Sequence, residues 1–268
     1  TLSWDSIYAL RYHSTERALF KRQAAAVVAE EFHMAYDRAW NTWEIGEIFR
    51  VRGDMAASRQ WYESARPLFE ANGDTMGLAF ARRAQAELEL YDGLHAAGPE
   101  RAAHFSAADD HFRAYLAWTL EARNTWSRTY ALCGLGRVEL ATGALDAALE
   151  FFREALGLAR TSGRRDLEGL PLACVAHLAN AAGHSALAAR LAAAVIASPF
   201  SWLETRAWVA ALAGQEQRGA AELESRATGA GEAARDVMGP VIDGLLAVEG
   251  ATAAGWLAAA AEAVAAFL

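Results

Sequence analysis

The stretch GLGRVELATGALDAALEFFREAL, Gly134 to Leu156, decides the fold. Small residues at Gly136, Gly143, Ala148 and Ala155 recur between the bulkier Leu135, Leu149, Phe152 and Leu156. Apolar positions three and four apart describe helices, and the small residues let two of them press together around a tight turn. Gly143 marks the turn, since glycine tolerates the left-handed conformation that ends a helix.

The same pattern returns along the chain. Gly53 and Gly93 are forty residues apart, as are Gly143 and Gly183, and the middle interval is fifty. Seven residues before each glycine stand Gly46, Ala86, Gly136 and Ala176; five after stand Ser58, Ala148 and Ala188; twelve after stand Ala65, Ala155 and Val195. The second unit fits if ten extra residues follow Gly93, around LHAAGPERAA, so that Ala108, Phe112 and Tyr115 match Ser58, Tyr62 and Ala65. Pushed back to His13, the register finds Ala18 and Ala25.

Self-similarity at this period means stacked helical pairs. No segment shows sustained apolar–polar alternation, and five prolines leave long helical windows. The expected fold is all-α: a right-handed α-α superhelix, or solenoid, of antiparallel pairs with units of about 40 residues. It forms one domain, with N-terminal helices over 1–32, repeats over 33–198 carrying an insertion near 94–103, and capping helix pairs over 199–268.

The lattice of small residues resembles tetratricopeptide repeats. In that family each pair carries glycine or alanine in its first helix, a turn glycine, then alanine, an aromatic and alanine in its second. LCGLGRVELATGALDAALEFFREAL is most similar, followed by WEIGEIFRVRGDMAASRQWYESA, and the likeness runs from about Ala35 to Ser198. The aromatic near the end of the first helix is kept at Phe49 but is Glu139 in the best unit. Units longer than thirty-four residues look like the sensor arms of bacterial signal-transduction ATPases (STAND regulators) of the maltose-activator type. The resemblance therefore implies a protein-interaction or effector-sensing module in a bacterial signalling or transcription regulator. The sequence has neither a phosphate-binding loop nor a recognisable DNA-reading helix pair, so if it belongs to such a regulator only the sensor arm is expected here.

In a solenoid the first helices line the concave side, and register selects the side chains that face it. Six residues before the turn glycines are Glu47, Glu87, Arg137 and His177; ten before are Trp43, Arg83, Cys133 and Ala173; thirteen before are Trp40, Phe80, Tyr130 and Leu170. Arg50 lies three before Gly53. Rings beside charged groups suit a groove for a peptide, protein segment or small effector. The candidate ligand-binding residues are Trp40, Trp43, Glu47, Arg50, Phe80, Arg83, Glu87, Tyr130, Arg137 and His177. The aromatics among them also fit plain interhelical packing, whereas the charged column is harder to bury. Trp61, Trp118, Trp126, Trp202, Trp208 and Trp256 fall outside these columns and suit the core or the repeat interfaces.

Other classes find less support. A formal charge of −8, with Lys21 the only lysine, argues against nucleic acid. Cys133 and Cys174 are too few for a disulfide framework or a zinc site, which fits the cytoplasm and buried thiols. No membrane span is expected, because the most apolar segment, Thr252 to Leu268, is mostly alanine and carries Glu262. That helix is apolar all round, so it docks on the preceding pairs or on a second copy as a homo-oligomer contact.

No enzyme, cofactor or metal is expected. Glu30 and His33 in EEFH have di-iron spacing but no second such pair. His104 and His111 flank Asp109 and Asp110 in HFSAADDHF, where a solvated rim competes with general-base chemistry. The GLG at Gly134 and GAGEAA at Gly229 lack the strand that a dinucleotide loop requires. The alternative is a small-molecule-binding or catalytic helical protein of a biosynthetic pathway.

Overall fold

A computed structural model describes residues 14–213, 238–250 and 252–265. Among the described residues there are twelve α-helices, a single 3-10 turn and no strand. In order these are α1 (Thr15–Glu31), α2 (Ala35–Val51), α3 (Met55–Ala71), α4 (Thr75–His95), α5 (Gly98–Glu121), α6 (Thr125–Thr142), α7 (Leu145–Thr161), α8 (Gly169–Ala181), α9 (Ser185–Ala197), α10 (Leu203–Ala213), α11 (Met238–Ala247) and α12 (Ala253–Ala265). They form two compact units, Thr1–Trp118 and Thr119–Leu268.

Within each unit, consecutive helices pack against one another. Partners run antiparallel: the Asn72 side chain at the end of α3 donates to the Ala35 carbonyl at the start of α2, while Gly46 late in α2 meets Tyr62 early in α3. Next-but-one helices also touch, α2 with α4 in the first unit and α8 with both α6 and α10 in the second. First helices of successive pairs therefore lie side by side, as expected for stacked helical pairs.

The turns explain the repeat. Left-handed residues occur at His33, Gly53 and Gly73, then at Gly98, then at Arg123, Gly143, Gly163 and Gly183. The interval is twenty residues, widened to twenty-five on either side of Gly98. At Gly143, with φ 87°, the Gly143 amide donates to the Leu140 carbonyl and the Ala144 amide to that of Glu139, which satisfies the end of α6. Side-chain oxygens of Asp54, Asp74 and Asn124 accept from backbone amides three residues on and open α3, α4 and α6.

One expectation is corrected. Gly93 is not a turn residue: it lies inside α4, which continues to His95, and the turn follows at Gly98. The ten additional residues do not form a loop after Gly93. They lengthen α4 to 21 and α5 to 24 residues, against 17 in α2 and in α3.

Four helical glycines set the interhelical spacing. A Cβ on Gly46 would stand 2.7 Å from the Tyr62 ring, on Gly77 2.1 Å from Phe69, on Gly93 2.6 Å from Phe105, and on Gly136 2.3 Å from Phe152. Each glycine is a socket for one ring. Those rings are buried, Phe69 and Phe152 completely.

Of the capping helix pairs expected over 199–268, the pairing of WLETRAWVAALAG (202–214) with EQRGAAELESRAT (216–228) lies mostly outside the described residues. Beyond them, α12 packs on α7, α9 and α11 of the same chain. Its Trp256 and Leu257 are fully buried, so the apolar face is occupied within the second unit. Two polar ties hold this end in place: Arg160 grips Asp243 through both guanidinium arms at 2.6 Å, and the Ala253 amide donates to Asp146 at 2.6 Å. Cys133 and Cys174 are free, buried thiols. No described helix is long and apolar enough to cross a membrane.

Replacing Gly136 with alanine should destabilise the protein by about 1–3 kcal/mol, because the buried Phe152 ring has nowhere to retreat. Gly157→Ala in the neighbouring α7, where nothing lies within 4 Å of the new methyl, should stabilise by roughly 0.5–1 kcal/mol. Urea unfolding of the two variants checks the contrast.

Candidate functional site

The predicted site residues gather in two places, one in each unit. In the first, α2 supplies Trp40, Trp43, Glu47 and Arg50, and α4 supplies Phe80 and Arg83. Trp40, Trp43 and Phe80 meet edge to face, with centroids 5.3–5.8 Å apart, and Phe69 packs on Trp40 at 5.2 Å. The Trp40 indole also donates to Asp74 at 2.8 Å. Asp74 thus caps α4 with one oxygen and anchors Trp40 with the other.

The charged members of this group are mostly interior. Arg83 is 2% and Glu47 8% exposed, and they form an ion pair at 2.7 Å. Arg50 adds a second pair to Glu47 at 3.2 Å, and the Tyr62 hydroxyl donates to the same carboxylate. The Arg83 guanidinium lies over Trp43 at 5.3 Å and Phe80 at 5.9 Å. Burial pushes the Glu47 carboxyl pKa up, but the Arg50 and Arg83 charges overcome it and hold the group at about 2. Contrary to the expectation that this charged column resists burial, Glu47 and Arg83 are both interior, each charge buried because the other neutralises it. Glu87 is half-buried one turn beyond Arg83.

In the second unit the equivalent side chains stay half-exposed. Tyr130 of α6 stacks on Trp126 at 4.5 Å and on Trp202, just before α10, at 5.5 Å. About two turns further along, the Arg137 guanidinium lies over Trp208 at 5.1 Å. Trp202 meets Tyr130 and Trp208 meets Arg137, in the same order along both helices, so α6 and α10 run parallel. Between them α8 contributes His177, whose ring stacks on Trp208 at 4.1 Å.

His177 is the unusual group here. Burial drives its pKa down to about 4, opposed by a hydrogen bond to the backbone at Trp208 and helped by the nearby Arg137 charge. Its Nε2 is buried and has no hydrogen-bond partner among the described residues. A buried ring nitrogen in that state costs about 1–3 kcal/mol.

Trp126, Trp202 and Trp208 join this face although the sequence columns excluded them. Trp126 carried a usable signal, four residues before Tyr130 on one helix face. Trp202 and Trp208 did not, because no turn glycine extends the register beyond Gly183.

The weaker motifs also find places. Glu30 and His33 line a surface hollow of about 400 Å³ with Met34, Arg38 and Leu68, with no further acidic, histidine or cysteine side chain among the described residues that line it. Asp109 pairs with Arg113 at 2.6 Å. His104 turns away from the Asp109–His111 motif and hydrogen-bonds Glu89 of α4 at 2.7 Å, and with Asp92 these residues form a group able to hold a metal ion.

Arg83→Leu should lower stability by about 3–5 kcal/mol, because it strands the buried Glu47 carboxylate, whereas Arg137→Ala at the half-exposed face should cost under about 1 kcal/mol. Thermal unfolding compares them directly. His177 stays neutral in the fold, while the unfolded chain takes up a proton near pH 6.5. Its contribution is therefore complete above pH 6.5 and is lost as pH falls towards 4, so His177→Asn should flatten the decline in Tm over that window. The loss from Glu47 comes later, between pH 4.5 and about 2.

Compared with protein families and with curated proteins, the chain matches no family model and no curated sequence.

Proposed function

We propose that this chain is a helical-repeat binding module, and that the shared face of α6, α8 and α10 takes an extended peptide, a protein segment or a small effector. The observation that carries this reading is the half-exposed cluster itself, in which Trp202 stacks on Tyr130, His177 stacks on Trp208 and the Arg137 guanidinium lies over Trp208. Rings offer rigid apolar area at low entropic cost, and the Arg137 guanidinium adds positive charge beside them. The first unit's related residues are closed by their own ion pairs and act as a packed support.

The resemblance to tetratricopeptide repeats supports a role in a bacterial signalling or transcription regulator, as its sensing or scaffolding arm. Binding at the second unit is then the event such a regulator reads.

Panning a phage-displayed random peptide library against the full chain, then titrating enriched peptides while following tryptophan fluorescence, tests the assignment. Tyr130→Ala and Arg137→Glu should each weaken binding by roughly tenfold or more with little change in Tm. Peptides that bind both variants as tightly as the wild type would place the site elsewhere. A metabolite retained in native mass spectrometry and lost in the same variants would select the small-effector form of the proposal.

A further inference from the structure

The ten residues that lengthen α4 and α5 interrupt an otherwise even register, and they bring chemistry with them. A helix as long as α2 or α3 would stop at Tyr91; Asp92 lies in the added turn, with Glu89 three residues earlier on the same face of α4. His104 comes from the facing α5. One ligand atom from each of the three lies within 4.8 Å of the others. The side chains are half-buried, at 25% exposure for Glu89, 31% for Asp92 and 34% for His104, which limits their wandering.

Placement of His104 depends on Gly93. A Cβ there would stand 2.6 Å from the Phe105 ring and 3.2 Å from the His104 Cβ, so glycine is what lets α5 come close enough for the imidazole to reach Glu89. Arg59 of α3 approaches from the other side and pairs with Asp92 at 2.6 Å.

We propose that Glu89, Asp92 and His104 form a binding site for a divalent transition-metal ion, Zn²⁺ being the natural occupant. One imidazole with two carboxylates suits borderline ions of this class, and a three-ligand site leaves a coordination position for water or for a carboxylate of a partner. Ligand atoms around a tetrahedral zinc stand about 3.3 Å apart, so small side-chain rotations from the present separations are enough. His104 and Glu89 meet at 2.7 Å across a hydrogen bond, and the metal takes the place of the proton between them, which is released to solvent. Arg59 is the built-in competitor: its guanidinium holds Asp92 in the cation's absence and opposes the cation when it arrives.

That competition separates a metal site from a structural ion-pair cluster. Zn²⁺ is titrated into the full, metal-stripped chain by calorimetry, with far-UV circular dichroism verifying the fold of each variant. The wild type should bind one equivalent saturably. Glu89→Gln, nearly isosteric, and His104→Ala should each weaken binding about tenfold or more, and Arg59→Gln should strengthen it roughly fivefold or more. The absence of saturable binding, or binding that neither Glu89→Gln nor His104→Ala weakens, would overturn the proposal. So would weaker binding in Arg59→Gln, since a cluster held together by that guanidinium would then be the better description.

Discussion

Everything in this fold depends on how closely two helices can approach. Where Gly46 faces Tyr62 and Gly136 faces Phe152, a ring lies directly on bare backbone, and no other residue type leaves room for it. That contact fixes the separation of each pair, and the separation fixes which neighbouring side chains can meet. In the first unit the consequence is the reach of Arg83 across to Glu47; in the second it is the stacking of Trp202 on Tyr130. A knob in a glycine socket is a short-range interaction, yet repeated along a chain it determines the alignment of successive helices.

The two units show how one pattern of residues serves two ends. A register position six before the turn holds Glu47 in one pair and Arg137 in another. Glu47 has two arginines and a tyrosine around it and is sealed inside; Arg137 has the face of Trp208 and stays half-exposed. Removing a charge from water is tolerated only with a partner at hand.

This also explains what was legible in the sequence. Helix positions and the small-residue lattice could be read because each is a local, periodic property, and the left-handed residues every twenty positions confirm that periodicity. Gly93 misled because a glycine at the expected spacing serves equally as a turn or as a socket, and only the facing Phe105 distinguishes them. Burial of Glu47 was hidden for a related reason: Arg83 lies thirty-six residues away, and nothing in either segment alone announces their meeting. Within the candidate binding face, Tyr130, Arg137 and His177 could be placed by counting from a turn. Trp202 and Trp208 could not, since counting stops where the turn glycines stop.

The lengthening around Gly98 has one more consequence. The added residues fall on both arms of a helical hairpin, and they do so nearly equally, with intervals of twenty-five on either side of the turn. Unequal arms would force one helix to slide along the other and would carry every later pairing out of step. Equal arms raise the tip by about 7.5 Å at 1.5 Å per residue. The α4–α5 tip is thus the place where the chain takes up ten more residues on two matched arms, in the way a mast is made taller.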